Sequence, residues 1–156
     1  MGEGTGADGI GLVFADPTAG ATATSLGGTG GLLGIGGIPA NVVTLDTFKN
    51  SGDPSANFVG LCTTTSTIGP VPGLKCTNTA TVASPLRGTT LTKRHVVVKT
   101  SILNGFSIIR SVTVDGVNVI TTGLMQLPPS VVIGFSAATG TSTDTHIVAN
   151  VTVTYR

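Results

Sequence analysis

Ser111-Val112-Thr113-Val114-Asp115-Gly116-Val117-Asn118-Val119 is the stretch whose reading decides the fold. Its apolar residues recur at every second position, which places them on one face of a strand. Valine and threonine branch at Cβ and are stiff at χ1, so they suit a pleated surface better than a helix. Asp115-Gly116 joins two such runs and is a strong type I′ hairpin signal. The segment therefore reads as two antiparallel strands with one buried face.

Similar runs recur outward from it. Strands are expected at Ile10–Ala15, Asn41–Thr47, Asn57–Thr63, Leu74–Ala83, His95–Ile102, Phe106–Asp115, Val117–Thr121, Ser130–Ala137 and Thr145–Tyr155. Asn150-Val151-Thr152-Val153-Thr154 alternates as cleanly as the opening stretch. Val96-Val97-Val98 and Val131-Val132-Ile133 are unbroken apolar runs and are expected to be covered on both sides. Pro128-Pro129 breaks the chain before its strand. No segment of helix length carries apolar residues at helical spacing, and the one glutamate is Glu3. No internal repeat is evident. The fold class is all-β, an antiparallel β-sandwich.

The 156 residues are enough for one core and one domain. Net charge is +1, and Lys93-Arg94-His95, the only basic cluster, has no interleaved aromatic residue, so no nucleic-acid partner is expected. The glycine-rich stretch Gly27–Ile38 is too interrupted to span a membrane, and it lacks the Gly-Lys-Ser/Thr ending of a phosphate loop. Cys62 and Cys76 flank Ile68-Gly69-Pro70-Val71-Pro72-Gly73, a tip that would let two strands meet. A disulfide there fits an oxidising, secreted setting; a pair of buried free thiols is the alternative. No signal-peptide pattern opens the chain, so any export signal is expected to have been removed or to lie elsewhere.

Chemistry concentrates in Leu45-Asp46-Thr47-Phe48-Lys49-Asn50-Ser51-Gly52-Asp53-Pro54. Oxygen-bearing side chains at 46, 50 and 53 begin at a strand end and run into a Gly/Pro loop. Calcium takes six to eight oxygens from such a mixture of carboxylates, amides, carbonyls and water. Asp, Asn and Gly also build ordinary turns, and spacing alone does not separate the two readings.

A wider series of segments resembles the legume-type (L-type) lectin family, in particular its bacterial surface and secreted branch. It runs through Ala7-Asp8-Gly9-Ile10, Gly30-Gly31-Leu32-Leu33-Gly34, Leu45–Asn50 with Asp53-Pro54, and Val59-Gly60. Val114-Asp115-Gly116, Leu127-Pro128-Pro129, Gly134-Phe135-Ser136-Ala137-Ala138-Thr139-Gly140 and His146 follow in order. The resemblance implies a concanavalin-like jelly roll over residues 7–156, with residues 1–6 a leader or remnant. It implies a calcium ion held by the carboxylates of Asp46 and Asp53, the backbone carbonyl of Phe48 and the amide oxygen of Asn50. It also implies a glycan partner. Asp8 would accept hydrogen bonds from sugar hydroxyls, Gly30 or Gly31 would donate a backbone N–H, and Asn50 would complete the polar set. The Phe48 ring would floor the sugar, and the loop Thr141–Asp144, with Thr141, Ser142 and Asp144 as candidate contacts, would select among sugars.

Departures from the family refine these expectations. Plant members hold a second, transition metal through a Glu and a His where this chain has Thr44 and Phe58, so only calcium is expected. In those members the metals support a cis peptide between the Ala and Asp of the Ala-Asp-Gly motif, which makes the isomer of Ala7–Asp8 decisive for where Asp8 points. Family members also carry several strands before that motif. Without them, open edges and an exposed apolar face are expected beside the C-terminal strand. These would be closed by self-association, by a strand from another chain, or by rearrangement of the sandwich.

The acidic residues are Glu3, Asp8, Asp16, Asp46, Asp53, Asp115 and Asp144, and none forms a close strand-borne pair for glycoside chemistry. No Ser-His-Asp arrangement is identifiable, so no enzyme is expected. Two functions follow. One is a secreted or cell-surface, calcium-dependent carbohydrate-binding module. The other is a structural subunit of an extracellular fibre or surface layer that keeps the sandwich without binding sugar.

Overall fold

The structure, a computed structural model, describes residues 1–65 and 73–154. Nine strands form: β1 (Gly9–Ala15), β2 (Ala40–Asp46), β3 (Phe58–Thr65), β4 (Gly73–Thr81), β5 (Val96–Leu103), β6 (Phe106–Val114), β7 (Val117–Ile120), β8 (Met125–Gln126) and β9 (Val132–Ala138). The first sheet has the order β4-β3-β2-β1-β9. In the second, β5 pairs with one edge of β6, while β7 and β8 share the other. All pairings are antiparallel.

Alternation decides which layer each residue enters. Ile10 and Phe14 of β1, Val43 and Leu45 of β2, and Val59 and Leu61 of β3 point inward to meet Ile109, Val112 and Val114 of β6. Each large side chain so buried contributes about 1.5–3 kcal/mol. The opposite positions of β1 and β2 (Val13, Ala15, Ala40 and Val42) are also buried, under Ala21, Leu33, Ile35 and Ile38. The glycine-rich stretch is therefore a lobe packed on the outer face of the first sheet. Coverage on both sides explains why β1 reads as almost continuously apolar.

The hairpin that opened the sequence reading is present. Asp115 and Gly116 adopt φ of 49° and 82°, the left-handed pair that a type I′ turn requires. Asn104-Gly105 makes the equivalent turn between β5 and β6, with φ of 50° and 83°; the sequence reading passed over it. Cys62 and Cys76 face each other across β3 and β4 and are joined in a disulfide. Most of the Pro/Gly tip between them (66–72) lies outside the described residues.

Several expectations are corrected. The strand expected over Thr145–Tyr155 does not form. Thr145 makes one bridge to Gly2, and His146–Thr154 has no ladder partner, with Ile147, Val151 and Val153 exposed; Tyr155 lies outside the described residues. Its alternation encodes a capacity to pair, but no neighbouring edge meets it. Val96–Val98 is half-buried because β5 is an edge strand, and Ile133 is exposed because β9 is another. Residues 1–6 pack against the domain. Met1 is in the core, its carbonyl accepts from Gly88 and Thr92, and Gly6 N donates to Thr143 O at 2.8 Å.

Candidate functional site

Topology brings the candidate residues to one end of the first sheet. β1 is flanked by β2 and β9, both antiparallel to it. Gly9 is thus opposite Asp46 on one side and Ala138 on the other. The segment entering β1, the loop leaving β2 and the turn leaving β9 converge there. The 3-10 turn Gly30–Leu32 joins them, with Gly30 N donating to Thr139 O at 3.3 Å.

Asp8 stands at the centre of this convergence and is buried. The Ala7–Asp8 peptide is cis. The Asp8 N–H donates to Ala138 O at 3.0 Å, and its carbonyl accepts from the N–H and hydroxyl of Thr47 at 2.8 and 3.2 Å. With its backbone so clamped, the carboxylate takes one side-chain partner: Asn50 Nδ2 donates to Oδ1 at 3.4 Å. Oδ2 faces bare backbone, 3.9 Å from where Gly30 would carry a Cβ and 3.8 Å from where Gly140 would. Gly31 abuts Asn50, and a Cβ there would fall 2.5 Å from Nδ2. Only glycine admits the Asn50 amide at this point.

The loop after β2 is organised by its own carboxylates. Asp46 Oδ1 accepts from Phe48 N at 3.0 Å, and Asp53 Oδ2 accepts from Asn50 N at 2.8 Å. Asp46 is buried, and burial pushes its pKa up to about 7; the Phe48 N–H opposes the shift, while the charges of Asp53 and Asp8 add to it. No Lys or Arg among the described residues pairs with Asp8, Asp46 or Asp53. Among the described residues, these carboxylates thus have no direct cationic partner.

Among the described residues, no three His, Cys, Asp or Glu side chains cluster closely enough to hold a metal by themselves. An ion here would draw on two carboxylates plus an amide and a carbonyl oxygen. That donor set suits calcium and lacks the nitrogen and sulfur ligands of zinc. Among the described residues, the second oxygens of Asp46 and Asp53, Asn50 Oδ1 and the Phe48 carbonyl accept no hydrogen bond. These free oxygens are of the kind calcium takes. Thr44 and Phe58 are both buried, Thr44 at a 3.5 Å hydrogen bond to Gly60 O.

The remaining candidates divide. Phe48 is 37% exposed on the loop tip, so its ring is available to a ligand. Thr141 and Ser142 follow Gly140 directly, and Gly140 N donates to Ser142 O at 3.2 Å. Asp144 is not brought to the site. Its side chain is fully covered, Oδ1 accepts from Gly2 N at 2.6 Å and Thr145 N at 2.7 Å, and Oδ2 is 3.2 Å from Arg87 Nε. It clasps residues 1–6 to the domain. Sequence reasoning missed Thr47, which clamps the Asp8 backbone, and Arg87, which completes the clasp. Thr47 lies inside the stretch already singled out; Arg87 carried no local signal, because its role exists only through distant partners. A shallow hollow on the second sheet, bounded by Lys99, Arg110 and Leu124, shares no residue with this cluster.

Among known proteins, no family model, curated protein or solved structure matches the chain.

Proposed function

We propose that the chain is a calcium-dependent, lectin-like carbohydrate-binding module, non-catalytic, of a secreted or cell-surface protein. The observation that carries this reading is the meeting of Asp8 and Asn50 over a loop of carboxylates, walled by Gly30, Gly31 and Gly140. Asp8 Oδ2 accepts from sugar hydroxyls, and Asn50 presents its amide to the same polyol. The glycine backbone lets the sugar approach closely, and the Phe48 ring covers its C–H face. Asp46, Asn50, Asp53 and the Phe48 carbonyl hold calcium. Calcium, when bound, neutralises the loop and fixes the Asn50 side chain. Affinity for a single sugar is weak, and multivalent display raises it. The disulfide supports an oxidising compartment. No helix of the described residues is long and apolar enough to cross a membrane.

A glycan array probed in calcium and again in EDTA tests the proposal. Binding to some glycan in calcium, lost in EDTA and in Asp8→Ala, is expected; silence under both conditions sinks it. One observation favours a second reading, a structural or assembly subunit: Val151 and Val153 are exposed on a segment with no strand partner among the described residues. Sedimentation velocity separates the two, since a monomer at all concentrations counts against assembly.

A further inference from the structure

A groove of about 600 Å³ runs between the glycine-rich lobe and β9, within the size range of small-molecule sites, roughly 300–1,000 Å³. Its walls include the side chains of Leu26, Ile35 and Val132, with Thr29 and Thr139 at the end towards Asp8. Those two threonines are chain neighbours of Gly30 and Gly140, the glycines that face the Asp8 carboxylate. Ala138, whose carbonyl accepts from Asp8 N, also lines it. The groove is thus continuous with the proposed sugar site. Its chemistry differs sharply from that site. Its lining contains no charged side chain and no carboxamide; the polar side chains are all hydroxyls. A further sugar residue needs acceptors and donors fixed in plane, and this groove supplies few. Leu26 stands almost wholly exposed at the rim. Ser136 Oγ is buried in the wall without a hydrogen-bond partner.

We infer that the glycan bound at Asp8 carries an apolar aglycone, and that this groove between the lobe and β9 holds it. The inference rests on the carbohydrate reading and names its ligand class: an alkyl or aryl glycoside, in preference to a bare sugar or a longer oligosaccharide. Each methylene buried in the groove adds affinity that a sugar site alone does not provide. Ser136 marks one place on the wall where a ligand oxygen would find a donor.

The test is calorimetric titration of the whole chain, in calcium, with matched methyl and n-octyl glucosides, galactosides and mannosides below micellar concentrations. For the sugar that binds, the octyl form is expected to bind at least about tenfold tighter than the methyl form. A Cβ at Gly134 meets nothing within 4 Å, so Gly134→Leu fills the groove without displacing the fold. It should erase the octyl advantage and leave methyl-glycoside binding intact. Leu26→Asp, at an exposed rim position that folding does not depend on, should reduce the same advantage severalfold. Equal affinities for the two forms would overturn this inference and leave the sugar site standing. Failure of both forms to bind would overturn the inference and the carbohydrate reading together. Octyl binding that survives both EDTA and Asp8→Ala would overturn it too, since the groove would then take chains without reference to a sugar.

Discussion

At the residue scale, Asp46 sets the pH behaviour. Its folded pKa, raised to about 7 from an ordinary 3.8, means that the folded chain without calcium holds a proton that the unfolded chain has released. Stability in EDTA should therefore fall as pH rises from about 4 to about 7, by on the order of 3 kcal/mol across the window. Calcium favours the ionised carboxylate, so saturating calcium should flatten or reverse that slope and add about 2.7 kcal/mol at a hundredfold excess over Kd. Thermal melts of the parent and Asp46→Asn, with and without calcium, check this: the variant should lose both the EDTA slope and the calcium response. Gly31 offers a second prediction. Gly31→Ala places a methyl against the end of the Asn50 side chain, so it should displace Asn50 from Asp8 at little cost in stability. Glycan binding should fall at least tenfold while calcium still raises the melting temperature. Much of this was legible in sequence, because Asp46, Asn50 and Asp53 lie within one short loop. The turn of Asp144 towards Arg87 was not, since a carboxylate's direction depends on which cation folding brings beside it.

At the element scale, strands declare themselves through period-two alternation, and eight of the expected ones form. The short β8 escaped notice because two residues cannot display a period. The C-terminal segment failed in the opposite way, alternating well yet lying unpaired. A strand is a property of two segments, and one sequence window reports only one of them. The same pairing logic gives a prediction for β3 and β4. Their disulfide spans a sequence separation of 14 and constrains the unfolded chain. Replacing both cysteines by alanine should lower stability by about 3 kcal/mol while calcium-dependent glycan binding persists, because the bond lies outside the loop cluster. Urea melts of oxidised and variant protein test the first half, and the array tests the second.

At the scale of the whole molecule, the first residues are clasped by Asp144, which accepts from Gly2 N, and by Arg87, which lies beside Asp144 and donates to Gly4 O. Asp144 is fully covered, so Arg87→Ala leaves a buried carboxylate without its partner and should destabilise the domain by about 3–5 kcal/mol. Loss of amide protection at residues 1–6 under hydrogen exchange should accompany it, and unchanged protection there would refute the clasp. The exposed Ile133 and Phe135 on β9 and the unpaired valines of 151 and 153 are where composition said least. Alternation shows that one face is apolar, and says nothing about whether anything covers it.

The order of the first sheet also sets a schedule. β1 is made well before β9, one of its two neighbours, which follows roughly 120 residues later. At about 5–20 residues per second, that is a delay of roughly 6–24 s during which Gly9–Ala15 waits with one edge unmated. The sheet is completed only when the last strand arrives, so maturation follows the pace of synthesis. A nascent chain stalled before residue 132 would leave Asp8 lacking the Ala138 carbonyl that anchors it.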